Sequence, residues 1–107
     1  MRWSADGLME PTNLLEAATL HRSALVTCQC GHFARFETHC LWWHFHQRRW
    51  DDRGQALRER FWCRVCASKY RRKIRPVRIA FVNWTKGDFE LPWPDERAWK
   101  QATRRLR

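Results

Sequence analysis

Of the residues in this chain of 107, the five cysteines are the best suited to chemistry. Cys28 and Cys30 form a C-x-C pair within Cys28-Gln29-Cys30-Gly31-His32, and Cys63 and Cys66 form a C-x-x-C pair within Cys63-Arg64-Val65-Cys66. Two close pairs bracketing a longer segment read as two knuckles that donate four thiolates to one tetrahedral zinc ion. The spacing suits that chemistry because each knuckle turns back within two or three residues and aims both sulfurs at a common point. Gly31 permits the positive φ such a turn requires, and backbone N–H groups inside the knuckle can bond the sulfurs and lower their basicity. A disulfide scaffold would want an oxidising compartment and an even cysteine count. A redox pair at Cys63/Cys66 and plain buried cysteines are the competing readings. Thioredoxin-like chemistry would need a βαβ context, which the flanking sequence lacks. The expected ligands are Cys28, Cys30, Cys63 and Cys66, and the expected cofactor is a structural Zn2+.

The intervening segment offers further ligands, and the spacing leaves them open. His32 lies two residues after Cys30 and could replace a cysteine. Cys40 and His44 stand at i,i+4, which places them on one face of a helix at a chelating distance. A second metal there, completed by Cys28 or His32, competes with the plainer reading that Cys40 is a small core residue and the histidines pack beside tryptophans. His21 reads as a helix-end side chain. A nuclease using His39, His44 or His46 as base would need an open metal position with activating carboxylates, and Glu37 is the only acid close to them. The expectation is a protein that is not an enzyme.

Charge divides the chain in two. Residues 1–50 carry five basic and four acidic side chains, whereas residues 51–107 carry sixteen and seven, which accounts for nearly all of the net charge of +10. From Arg58 to Arg78 the only acid is Glu59. Such a field attracts polyanions. Arg outnumbers Lys seventeen to four, and its planar guanidinium can grip phosphate or guanine edges with two bonds. A solvated basic face, or a patch for an acidic protein partner, would look the same in sequence. The expected nucleic-acid contacts are Arg64, Lys69, Arg71, Arg72, Lys73, Arg75 and Arg78.

Length allows one domain, and one this small is marginal without a metal, crosslinks or a partner. Hydrophobic residues at 44% and aromatics at 14% exclude a disordered chain. No apolar run approaches the ~18 residues of a membrane span, and residues 1–10 lack the basic-then-apolar order of a signal peptide, so a soluble cytoplasmic protein is expected. The expected class is α+β, with residues 24–82 as the zinc module, an N-terminal helix within 1–23, and an extended segment and basic helix in 83–107. Thr12 or Asn13 caps a short helix through Leu20, with Glu16 at capping-box spacing from Asn13. Residues 24–27 and 32–36 read as strands on either side of the first knuckle, 37–50 as an aromatic helix, and 55–60 as a second short helix. The β-branched run 77–82 is the clearest strand. Asp95 caps a final helix with Ala98, Trp99, Ala102 and Leu106 as its apolar stripe.

Eight tryptophans serve first as core. Trp42 and Trp43 are ~100° apart on a helix, so one of them must approach the surface. A Trp exposed beside Arg can stack an unpaired base or anchor a protein partner, and Trp43, Trp62 and Trp99 are the candidates.

The arrangement Val26-Thr27-Cys28-Gln29-Cys30-Gly31-His32, a helical middle, and Arg60-Phe61-Trp62-Cys63-Arg64-Val65-Cys66 resembles the small C-x-C-G-H / C-x-x-C zinc-binding domains of bacterial and phage proteins. More loosely, it is similar to zinc-ribbon and treble-clef fingers. It departs from ribbons in having Ala67 where a glycine usually follows the last cysteine. The resemblance implies zinc and a compact α+β module over about residues 24–82, but no reaction. The leading expectation is a zinc-stabilised nucleic-acid-binding protein of the bacterial or phage regulator kind. The alternative is an adaptor or inhibitor that docks on a larger complex through exposed Trp and Arg.

Overall fold

The computed structural model describes residues 2–3 and 9–104. The elements in chain order are β1 (Arg2–Trp3), β2 (Met9–Glu10), α1 (Leu14–Thr19), β3 (Arg22–Thr27), β4 (Phe33–Glu37), α2 (Thr38–Arg48), α3 (Gly54–Arg58), α4 (Arg64–Tyr70), β5 (Arg78–Asn83) and α5 (Glu96–Arg104). The class is α+β. A three-stranded antiparallel sheet in the order β4-β3-β5 carries the helices, and β1 and β2 form a separate antiparallel pair. Among the described residues no helix is long and apolar enough to cross a membrane.

Local chemistry accounts for the elements next to the core. Asn13 caps α1 by accepting the Glu16 N–H at 2.8 Å, and the Glu16 carboxylate accepts in turn from the Thr12 N–H and hydroxyl. Helix α2 ends where Arg49 adopts φ +56°, and the Trp50 N–H then bonds the Phe45 carbonyl at 3.0 Å. That turn folds Trp50 back, edge-on to the Phe45 ring at 5.4 Å. The main core gathers Leu14, Ala24, Leu41, Trp42, Phe45 and Leu57, all buried. Trp42 is the member of the Trp42–Trp43 pair that is buried, and Trp43 is half-buried.

Central strand β3 pairs on both sides, from Ser23↔Glu37 to Thr27↔Phe33 with β4 and from Arg22↔Asn83 to Thr27↔Arg78 with β5. The free edge of β4 is covered. After β5 the chain crosses the end of β3, where Thr85 N–H donates to the Ser23 hydroxyl at 2.9 Å. It then reaches Arg35, whose N–H donates to Asp88 Oδ2 at 2.7 Å and whose carbonyl accepts the Asp88 N–H at 2.9 Å. This closes an edge that would otherwise invite another strand. Gly87 lies so close that a Cβ there would stand 3.0 Å from the Glu37 nitrogen.

Two elements differ from the sequence reading. The β1–β2 pair forms where no strand is expected. Residues 64–70 form helix α4, although the sequence reads there as a knuckle followed by the basic run Lys69 to Lys73; Cys63 itself supplies the helix cap, its sulfur accepting the Cys66 N–H at 3.5 Å. At the C-terminus, Asp95 does cap α5, accepting the Ala98 N–H at 3.1 Å, and Trp99 and Ala102 pack on the main core, while Leu106 lies outside the described residues.

Glu37, at the junction of β4 and α2, is a buried carboxylate that ties three segments together. It accepts from the Cys40 N–H at 3.1 Å, from His39 Nδ1 at 2.7 Å and from Trp84 Nε1 at 3.3 Å. Burial alone would raise its pKa. The His39 hydrogen bond, with those from the Cys40 and His39 backbones, outweighs burial and holds the carboxyl at about 2. Because the folded value lies below the ordinary 4.5, the stabilisation is complete above about pH 4.5 and is lost as pH falls through about 2. Glu37→Gln should destabilise the fold by about 1–3 kcal/mol at neutral pH. Denaturant titrations of both proteins should show that gap closing as the pH is lowered through this window.

Candidate metal centre

Strand β3 delivers Cys28 to the mouth of the β3–β4 hairpin. Its N–H bonds the His32 carbonyl at 2.8 Å, and the Gly31 N–H returns to the Cys28 carbonyl at 3.0 Å. Gly31 takes φ +90°, so the first knuckle is the hairpin turn itself. The second pair sits in the first turn of α4, with Cys63 at the cap and Cys66 on the helix. The returning chain fixes that turn, since the Cys63 N–H bonds the Ile74 carbonyl at 3.1 Å.

These two turns bring together the four cysteines that the spacing singles out. All four sulfurs lie within 4.8 Å of one another, with Cys28–Cys66 at 3.4 Å and Cys30–Cys63 at 3.7 Å. A tetrahedron of ~2.3 Å metal–thiolate bonds has edges of about 3.8 Å. The sulfurs therefore stand at the separations of a four-coordinate shell and well beyond a ~2.05 Å disulfide bond. Cys28, Cys63 and Cys66 are buried and Cys30 faces solvent. The cluster could hold a metal ion.

Its electrostatics favour a cation. The His32 N–H, helped by neighbouring thiols and opposed by burial, holds the Cys30 thiol down to about 7. The Cys28 thiol, and then burial, push Cys66 up to about 12, and burial pushes Cys63 up as well. The Cys30 thiolate forms readily while Cys63 and Cys66 resist, because several negative sulfurs cannot crowd together without a compensating charge. An ion of two positive charges removes that obstacle, and its binding must expel protons.

The alternative ligands stay apart from this cluster. His32 contributes its backbone only. Cys40 is buried in α2, its thiol pushed up to about 12 by burial and by the Glu37 carboxylate. His44 packs edge-on to Trp50 at 5.6 Å, and burial lowers its pKa. His39 is engaged with Glu37 at 2.7 Å. His21 lies just beyond α1 with φ +53°, its ring 5.6 Å from that of His39. Among the described residues the four cysteines form the one group of His, Cys, Asp or Glu side chains within reach of a single ion.

The expected nucleic-acid contacts surround the second cysteine pair. Arg64 and Lys69 lie on α4, Arg71 ends it at φ +54°, Arg72, Lys73 and Arg75 follow in the return loop, and Arg78 opens β5. All seven are exposed, and none forms an ion pair among the described residues. Three lie over aromatic rings: Lys73 over Trp62 at 5.6 Å, Lys69 over Tyr70 at 5.4 Å and Arg64 over Phe89 at 5.1 Å. Trp62 and Tyr70 are themselves exposed. Of the other tryptophans considered for contact, Trp43 and Trp99 are half-buried, whereas Trp84 and Trp93, which the sequence did not single out, are exposed.

Beside the cysteines opens a cleft of about 480 Å³, lined among others by Cys28, Cys63, Phe36, Trp50, Arg60 and Phe89. Sequence reasoning missed it because its walls come from separate segments, and no local spacing announces it. No family model, curated protein or solved structure matches the chain.

Titration of metal-free protein with Zn2+ should saturate at one ion per chain, release protons and bind more tightly as the pH rises. Calorimetry in buffers of different ionisation enthalpy reads both quantities. Cys66→Ser should abolish stoichiometric binding. Because structural Zn2+ sites contribute up to ~10–16 kcal/mol and each kcal/mol moves the midpoint by roughly 4–8 °C in a domain of this size, chelation should lower the melting temperature by more than about 10 °C.

Proposed function

We propose that the four cysteines hold a structural zinc ion and that the zinc-bound module binds nucleic acid through its arginine-rich surface. Zinc fits an all-thiolate, four-sulfur set with no open position. A first pair on a hairpin turn and a second pair in the opening turn of a helix favour the treble-clef side of the resemblance over the ribbon side. A regulatory role of the bacterial or phage kind is consistent with that resemblance.

One observation carries the nucleic-acid reading. Seven cations, all exposed and without acidic partners among the described residues, stand on α4, its return loop and the start of β5, interleaved with exposed Trp62 and Tyr70. A surface kept only for solubility gains little from seven uncompensated like charges crowded together. A polyanion would relieve that repulsion, and the exposed rings would offer stacking faces to unpaired bases.

The adaptor reading rests on a different feature. Trp93 is 64% exposed in the extended Leu91-Pro92-Trp93-Pro94 segment, and an exposed Trp of this kind can anchor a protein partner. Co-purification of one protein that survives nuclease treatment would favour it.

If the basic surface binds nucleic acid, affinity should fall steeply with salt. The double variant Arg71→Gln/Arg72→Gln should flatten the log–log salt slope by ~0.7–0.9 for each phosphate left without its arginine. Fluorescence anisotropy across a salt series measures both, and affinity indifferent to salt would reject the proposal. Chelation should weaken binding as well, since α4 and its return loop are anchored through Cys63 and Cys66.

A further inference from the structure

The cleft beside the metal centre differs from the basic surface in character. Cys28 and Cys63 belong to its lining, and Phe36, Phe45, Trp50, Phe61, Trp62 and Phe89 contribute aromatic rings. Phe36 of β4 is tilted against Phe61 at 5.1 Å and lies nearly parallel to Phe89, at 22° and 5.4 Å. Trp50 and Phe45 meet edge-on across the far wall. Two guanidinium groups stand among these rings, Arg60 over Trp50 at 4.2 Å and Arg64 over Phe89 at 5.1 Å. Both arginines are exposed and neither forms an ion pair among the described residues. Among the described residues, Glu90 is the only acid in the lining.

The geometry points to this cleft as the seat of a single unpaired nucleobase, stacked on the aromatic walls, with its flanking phosphate held by Arg60 and Arg64. The inference rests on the nucleic-acid reading and deepens it, by making the preferred ligand a single strand or an extruded base. Three properties converge on this occupant. About 480 Å³ lies within the ~300–1,000 Å³ of small-ligand sites and accommodates a base with its sugar and phosphate. Flat π-faces favour a flat ring, and base–aromatic stacking tolerates any base. The paired guanidiniums select for an anion attached to that ring. The Glu90 carboxylate can accept from an exocyclic amine, which uracil and thymine lack. An acidic peptide would satisfy the arginines but leave the aromatic walls unused.

The test compares two strands of equal length and charge on the full-length, metal-loaded protein: an ordinary single-stranded oligonucleotide and an abasic sugar–phosphate strand. Tryptophan fluorescence follows both, since Trp50 and Trp62 line the cleft. The expected result is about tenfold tighter binding of the base-bearing strand, with quenching, loss of most of that preference in Phe89→Leu, and an equal weakening of both strands in Arg60→Gln. Arg60 is exposed and outside the seven cations of the basic surface, and the strand comparison on the unaltered protein stands without the variants. Equal affinity for the two strands would overturn the cleft as a base site while leaving the basic surface as the binding element. Failure of both strands to bind at low salt would overturn the nucleic-acid reading and this inference with it. An acidic, aromatic peptide that quenches the same tryptophans where both strands fail would give the cleft to a protein partner and overturn the inference.

Discussion

Four sulfur atoms gathered within 4.8 Å of one another constrain everything on one side of this protein. They join the tip of the β3–β4 hairpin to the start of α4, two places separated by a long stretch of chain. The main core lies among the sheet, α1 and α2, and it does not reach α4. The second cluster of buried side chains consists of Cys28, Cys63 and Cys66 with, among the described residues, only Ile74 packed against it. So little apolar area cannot by itself fix a seven-residue helix and the cationic loop behind it, because short helices are unstable without tertiary support. The cysteines take the place of a core there, and an ion shared among them would make that substitution effective.

The cleft follows from the same arrangement. Beside the sulfurs, Phe36, Phe61 and Phe89 line it together with Trp50, which the left-handed turn at Arg49 folds back onto Phe45. The cationic surface and the aromatic cleft thus meet at Cys63 and Arg64. The first supplies a sulfur to the cluster, and the second, next to it in the chain, lies over the Phe89 ring.

Most of this organisation was legible because it is written in short-range signals. Cysteine spacing, the Asn13 and Asp95 caps and the β-branched run before Asn83 each act over a few residues, and each appears in the structure within a residue or two of its expected place. Helix α4 escaped because its cap is a cysteine, a residue already assigned to the knuckle. Its sequence, Arg64 to Tyr70, holds no apolar stripe to announce a helix, since it buries only Cys66. The cleft escaped for a different reason: its walls are assembled by tertiary folding, and Phe36, Trp50 and Phe89 carry no mutual spacing. The alternatives at Cys40 and His44 show the limit of helical spacing as evidence. The i,i+4 pair does lie on α2, but burial and the aromatic neighbours turn those side chains into packing groups.

Charge explains why the cysteine cluster and the arginine-rich stretch belong together. The run from Arg58 to Arg78 carries one acid, and folding it brings like charges close around α4. A metal-free cluster offers little counter-charge, because Cys63 and Cys66 are pushed up while Cys30 is held down towards neutrality. A divalent ion with four thiolates carries a net double negative charge, and Cys63 and Cys66 would place it at the first turn of α4, next to Arg64 in the chain. The bound centre would therefore do two things at once. It would replace the missing core under α4, and it would offset the repulsion among arginines that must remain unpaired if they are to meet phosphate. Two separate pressures, too little apolar surface and too much positive charge, would be met by the same four sulfurs once they hold a divalent ion.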